Sequence, residues 1–230
     1  IKHHFPEHSS ESDDGLIQWL IQVGQETARM ISEWMRVGFV HRVMNTDNMS
    51  IHGLTIDYGP YGWIEDFNPD WTPNTTDART GRYRFGQQAQ IGAWNFARLL
   101  ESISSLMEQP QRLYESLEAY YAEYEQCNNA MWSNKLGLKE FKEEDDELIK
   151  ELTSNLQLVE TDMTIFFRLL STLKEPNIEQ LRYAFYNEET IPSVEWNNWL
   201  EAWWKRVDGQ PERETMLSSC LLYTSDAADD

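Results

Sequence analysis

The 230 residues carry 39 Asp and Glu against 19 Lys and Arg, a formal net charge of −20. That surplus of carboxylates excludes nucleic acid as an expected partner, because phosphate backbones are held by Lys and Arg. With 40% hydrophobic residues, 13% aromatics and ten Trp, the chain has ample material for a packed core, in one large domain or two small ones, and disorder is not expected.

No window approaches the roughly 18 apolar residues of a membrane-spanning helix, so no membrane partner is expected. The opening Ile1-Lys2-His3-His4-Phe5-Pro6-Glu7 has neither an apolar signal core nor a small-residue cleavage site. It also lacks an initiator Met, and the chain reads as a fragment of a longer protein. Cys127 and Cys220 stand far apart without a C-x-x-C. Neither a disulfide framework nor a zinc site is expected, and a reducing, cytosol-like compartment fits.

Residues 9–15 form a polar lead-in with N-cap candidates Ser12, Asp13 and Asp14. Leu16, Trp19, Leu20, Val23, Thr27, Met30, Ile31 and Trp34 then recur at three- and four-residue steps. This spacing predicts an amphipathic helix ending near Gly38.

The next segment, His41-Arg42-Val43-Met44-Asn45-Thr46-Asp47-Asn48, is followed nine residues later by Asp57-Tyr58-Gly59. A protein-kinase catalytic loop reads H-R-D-x-x-x-x-N with a D-F-G further on, and its Asn and second Asp hold Mg²⁺ on the ATP phosphates. The His-to-Asn spacing is kept here, but Val43 stands where the catalytic Asp is expected and an Asp reappears as Asp47. Met49-Ser50-Ile51 and Leu54-Thr55-Ile56 flank His52-Gly53, a pattern that predicts a tight β-hairpin. Such a hairpin carries Asp57 back beside Asn48, so that both reach one metal.

Gly59-Pro60 and Gly62 open a loop that runs to Gly81-Arg82-Tyr83. From Ile91 the pattern is helical, with apolar series at Ile91–Leu106, Leu113–Met131, Leu148–Val159, Met163–Leu173, Leu181–Phe185 and Trp196–Trp203. Breaks are expected at Pro110, Gly137, Pro176 and Pro192. The charge-rich run Glu140 to Glu151 reads as a solvated face or loop. The segment Cys220 to Asp230 resembles a translated sequencing adapter and is set aside from fold reasoning.

The block Trp34 to Gly62, WMRVGFVHRVMNTDNMSIHGLTIDYGPYG, closely resembles the selenoprotein O family, whose bacterial members are called YdiU proteins. Gly81-Arg82-Tyr83, Gln88, Trp94-Asn95 and Lys135-Leu136-Gly137-Leu138 are similar to that family in order and spacing. The resemblance implies a pseudokinase that transfers AMP from ATP to Ser, Thr or Tyr hydroxyls of proteins, with ATP reversed relative to a kinase. It implies Asp47 as proton acceptor, Asn48 and Asp57 as ligands of Mg²⁺ (Mn²⁺ as the alternative), and Asp57 also as a nucleotide contact. Arg42 stands where the family usually has Gly, and His52 where it has Leu. The family's N-lobe, with its nucleotide-binding basic residues, is expected upstream of Ile1, and its Cys-containing redox motif downstream. On this resemblance the compartment is the cytoplasm for a bacterial protein and the mitochondrion for eukaryotic relatives.

The expected fold is therefore mainly α: a protein-kinase-like C-lobe core over residues 1–110, with the β-hairpin at the metal site, then a helical extension over 111–219. Mg²⁺ prefers oxygen ligands and takes one or two carboxylates plus substrate phosphates, which suits Asn48 and Asp57. Simpler readings stand beside these. Asn48 caps a turn and Asp57 ends a strand; Asp47 orients the loop or binds a second metal; His41 braces the loop; Arg82 and Arg84 steer phosphate or a protein substrate, or form surface ion pairs; Trp196, Trp199 and Trp203 fill a core or an interface. Two other functions remain open at this point, a kinase-like phosphotransferase and a nucleotide-binding scaffold without activity.

Overall fold

The computed structural model describes residues 1–73, 81–187, 189 and 191–220. Its described residues are mainly helical. Seven α-helices and two two-residue strands follow in chain order: α1 (Asp13–Val37), β1 (Phe39–Val40), β2 (Gly62–Trp63), α2 (Gln88–Ile103), α3 (Leu113–Leu136), α4 (Asp145–Asn155), α5 (Met163–Leu170), α6 (Ser193–Arg206) and α7 (Arg213–Ser219). β1 and β2 pair as a two-stranded sheet. Short 3₁₀ turns punctuate the helices, among them Thr46–Asn48 and Ile178–Ala184.

The chain divides into two compact units. The first comprises Ile1–Met35, Phe39–Gly62 and Pro69–Asn128; the second comprises Arg36–Gly38, Trp63–Asn68 and Asn129–Asp230.

In the first unit, α1 begins where the polar lead-in predicts. Ser12 Oγ accepts from the backbone N–H of Gly15 at 3.2 Å, and Asp13 and Asp14 lie in the first turn, where the helix dipole favours negative charge. Gly38, at φ +71°, follows the last residue of α1 in the left-handed conformation that glycine adopts without a Cβ penalty. The apolar face of α1 packs with Ala93, Phe96 and Leu100 of α2 and with Leu113 and Tyr120 of α3. Gly92 permits the close approach: a Cβ there meets Ile31 Cδ1 at 2.0 Å and Tyr120 Oη at 2.7 Å.

The expected hairpin after Asn48 is reduced to a turn closed by one antiparallel bridge, Met49 to Thr55, with Gly53 at φ +61°. Its arms are too short for a ladder, and the Ile56 carbonyl is taken by the ring of His41 instead.

In the second unit the indoles of Trp196, Trp199 and Trp203 are almost fully buried with Phe166, Phe167 and Phe185. The expectation that the Trp series forms a core holds. Trp199 Nε1 donates to Leu148 O and Trp203 Nε1 to Leu136 O, both at 2.9 Å, so these two rings bury a large apolar area with their single donors satisfied, while the buried Trp196 Nε1 makes no hydrogen bond among the described residues. Asp162 caps α5 by accepting from the Ile165 N–H at 2.7 Å.

Two expectations are corrected here. The charged run Glu140–Glu151 is not simply solvated: its second half is the start of α4, and Asp145 is 1% exposed. Arg206 holds that carboxylate from both oxygens, at 2.6 and 2.9 Å, and the Lys142 N–H donates to it at 2.8 Å. A buried carboxylate is tolerable with such partners and costly without them. The helix α7 is the second. No apolar series announced it, yet Met216 is fully buried and its N–H bonds to Glu212 O at 3.0 Å.

Candidate functional site

The segment from Phe39 to Asn48 has little regular structure of its own, so its shape is set by side chains that reach its main chain. Gln88, at the start of α2, is fully buried and clamps the entry to the loop. Its Oε1 accepts from the His41 N–H at 3.0 Å and its Nε2 donates to Phe39 O at 2.8 Å. On the same face of α2, two turns further along, Asn95 Nδ2 donates to Met44 O at 2.9 Å. Tyr83 Oη then donates to Asn45 Oδ1 at 2.6 Å. Buried main-chain groups need partners, and here Gln88 and Asn95 of α2 supply them, while Tyr83 holds the Asn45 side chain.

His41 is fully buried and its Nε2–H donates to Ile56 O at 2.8 Å. The imidazole therefore staples the loop to the residue immediately before Asp57, the bracing role rather than an exposed chemical one. Its Nδ1 is buried and makes no hydrogen bond. Trp34 Nε1 adds a second tie by donating to Thr55 Oγ1 at 2.9 Å. Together with the Met49–Thr55 bridge, these contacts bring the two arms of the turn together next to Asn48 and Asp57.

Asp47 and Asn48 lie in the 3₁₀ turn Thr46–Asn48. Asp47 is exposed; Asn48 is buried. Asn48 Nδ2 donates to Val43 O at 3.0 Å. This commits the amide nitrogen inside the loop and leaves Oδ1 as the amide's acceptor. Asp57 is exposed and takes φ +50°, a left-handed conformation that Asp tolerates better than most residues. An amide oxygen and an exposed carboxylate are the kinds of oxygen donor that a hard divalent cation takes beside phosphate oxygens and water. Among the described residues no group of three or more His, Cys, Asp and Glu side chains gathers as a metal cage. Asn48 Oδ1 and the Asp57 carboxylate could supply two of the oxygen ligands of such an ion, with phosphate oxygens and water as the others.

Arg42 occupies φ +75°, well inside the region that glycine favours, which gives a physical reason for Gly at this position in the resembled family. His52 stacks on Phe5 at 4.9 Å between ring centroids with the planes 9° apart. Arg84 pairs with Asp70 at 2.9 Å, the surface ion-pair reading. The Arg82 guanidinium lies 4.6 Å from the ring centre of Trp94, a cation–π contact. Gln88 and Asn95 were legible only as family matches; nothing in their spacing marks them as loop clamps, because a buried amide's target is set by the fold.

Lys135, in the second unit, is buried, with Nζ 4.2 Å from the centre of the Phe167 ring. Burial pushes its pKa down to about 8, with the nearby Cys220 opposing that shift and Arg36 adding to it.

A family model described as protein adenylyltransferase SelO matches residues 1–225. The chain is 45% identical over 218 residues to a protein nucleotidyltransferase YdiU of Flavobacterium johnsoniae, an alignment covering 91% of this chain and 42% of the relative. It is 48% identical over 211 residues to the YdiU protein of Aromatoleum aromaticum, covering 90% and 40%. With the YdiU protein of Xanthomonas campestris pv. campestris it shares 49% identity over 186 residues, covering 80% and 36%. The chain spans about two fifths of the length of these curated relatives.

Proposed function

The chain belongs to the protein adenylyltransferase SelO family, and from that premise we propose that the full-length protein transfers AMP from ATP to hydroxyl side chains of other proteins, on a pseudokinase scaffold whose C-lobe core includes residues 1–110. The observation that carries the reading is the staple from His41 Nε2 to Ile56 O, which ties the loop bearing Asp47 and Asn48 to the start of the Asp57 motif.

Asp47 is the proton acceptor. Its exposed carboxylate takes the proton of the acceptor Ser, Thr or Tyr hydroxyl as that oxygen bonds to the α-phosphorus. The bond from the α-phosphorus to the bridging oxygen breaks, and pyrophosphate leaves with the electron pair. Asn48 Oδ1 and Asp57 would hold Mg²⁺, or Mn²⁺ in its place, and Asp57 would also meet the nucleotide. When bound, that ion supplies positive charge to the phosphates. Val43 in place of a loop Asp supports AMP transfer over phosphate transfer, since the kinase-type base is absent from its usual position. Gln88, Asn95 and Tyr83 keep the loop in shape, so Asp47 presents its carboxylate without a reorganisation cost.

The test uses the full-length protein with an acceptor protein and ATP labelled at either the α- or the γ-phosphate. Protein-bound label from the α-position alone is expected. Label transferred from the γ-position alone establishes a phosphotransferase, and Mg²⁺-dependent ATP binding with neither label transferred establishes a nucleotide-binding scaffold.

A further inference from the structure

A groove of about 580 Å³ runs beside the start of α2, within the first unit, lined by Arg82, Arg84, Gln87, Gln90, Ile91 and Trp94. None of its described lining residues is acidic. The net charge of −20 disfavours acidic segments over most of the surface, so this face is a local exception. Two of the guanidinium groups here are neutralised. Arg84 pairs with Asp70 at 2.9 Å, and Arg98, 5.3 Å from the centre of the Trp94 ring, pairs with Glu101 at 2.6 Å.

Arg82 differs from both. It is exposed, and among the described residues its guanidinium has neither a carboxylate partner nor a hydrogen bond. Its contacts are aromatic, 4.6 Å to the ring centre of Trp94 and 5.7 Å to that of Tyr83. Such contacts hold a guanidinium in place while leaving its N–H donors unspent. The two rings are in turn tied to the catalytic loop. Tyr83 donates to Asn45 Oδ1, just before the Thr46–Asn48 turn that bears Asp47, and Asn95, next to Trp94, donates to Met44 O. The cation is thereby set beside the loop of the proposed proton acceptor.

We propose that this groove receives an acidic side chain of the protein substrate, an Asp or Glu carboxylate that pairs with Arg82 and lies a few residues from the hydroxyl to be modified. The inference rests on the proposed transfer to proteins and adds a sequence preference to it. A guanidinium pairs bidentately with a carboxylate, and one uncompensated positive charge balances one carboxylate. A phosphorylated residue carries close to two negative charges and is only half compensated there. None of Asp47, Asn48 and Asp57 lines the groove, which sets it apart from the proposed metal and nucleotide phosphates.

The experiment reads peptide binding to the full-length protein without ATP, and so does not depend on transfer. Fluorescein-labelled peptides carry one Ser in a Gly and Ala background, with a single Glu, or Gln in its place, stepped through the positions on either side of the Ser. In one register the native protein is expected to bind the Glu peptide about five-fold more tightly than its Gln counterpart, the upper range for an exposed ion pair. Elsewhere the protein's negative charge gives Glu no advantage. Arg82→Gln is expected to bind the two peptides of that register alike, and Arg82→Glu to prefer Lys there. The absence of any register that favours Glu, a Glu preference retained in Arg82→Gln, a phosphoserine peptide bound more tightly than the Glu peptide through Arg82, or no saturable binding of any peptide overturns the proposal. A Glu preference lost in Arg82→Gln, found together with no transfer of α-label, sinks the proposed activity and leaves the docking site standing.

Discussion

In the unit that carries His41 and Asp57, the buried amides of Gln88 and Asn95 spend their hydrogen bonds on the main chain of an irregular loop. In the other unit, the buried indoles of Trp199 and Trp203 spend theirs on carbonyls of the helices α4 and α3. The currency is the same, a side-chain donor to a backbone oxygen, but the consequences differ. An amide both donates and accepts and can hold a loop that makes no ladder of its own. An indole donates once and contributes mainly by apolar area, so it fixes elements that are already regular.

Four substitutions break or sharpen this contrast. The largest effect is expected from Trp203→Ala, which empties a fully buried site in the aromatic core. A loss of about 4 kcal/mol in urea unfolding is expected, with the transition of the second unit moving more than that of the first.

Next comes Lys135→Met, with the opposite sign. The folded-state pKa of Lys135 is about 8 against the ordinary 10.5, so between those values the unfolded chain binds more protons. The native protein thus gains stability as pH rises from about 8 to about 10.5, and below pH 8 it bears the full cost of a buried ammonium. Lys135→Met is expected to stabilise the protein by about 3 kcal/mol at pH 7, at about 1.4 kcal/mol per pKa unit. That gain should shrink to near zero by pH 10.5 in a series of melting curves.

Gln88→Met strands two main-chain groups, Phe39 O and His41 N–H, in a buried setting. A cost of about 2 kcal/mol is expected, with faster amide exchange confined to residues 39–48, where a Trp203 substitution leaves exchange unchanged. The smallest effect belongs to Arg42→Gly. Releasing a side chain from φ +75° gains about 1–2 kcal/mol, offset in part by the greater freedom of glycine in the unfolded chain. A net stabilisation of about 0.5 kcal/mol is expected in thermal unfolding.

Much of this molecule is written locally. The three- and four-residue spacing from Leu16 to Trp34, the Ser12 cap and Gly38 determine α1 and its limits, because helix periodicity and termini depend on near neighbours. The spacing of His41, Asp47, Asn48 and Asp57 marks the candidate site within one short stretch, and the spacing of Trp196, Trp199 and Trp203 marks the aromatic core of the other unit. Tertiary structure alone decided the rest. The Asp145–Arg206 pair joins residues 61 apart, and a charge-rich run shows no sign of which carboxylate goes inside. Gln88 and Asn95 reach loop atoms 47 and 51 residues away. The hairpin at residues 49–56 is a single bridge, and the Ile56 carbonyl at its end is held by His41, which lies outside that stretch. Pattern governs what a segment tends to form, whereas the pairing of buried polar atoms is settled only when distant segments meet and each donor must find an acceptor.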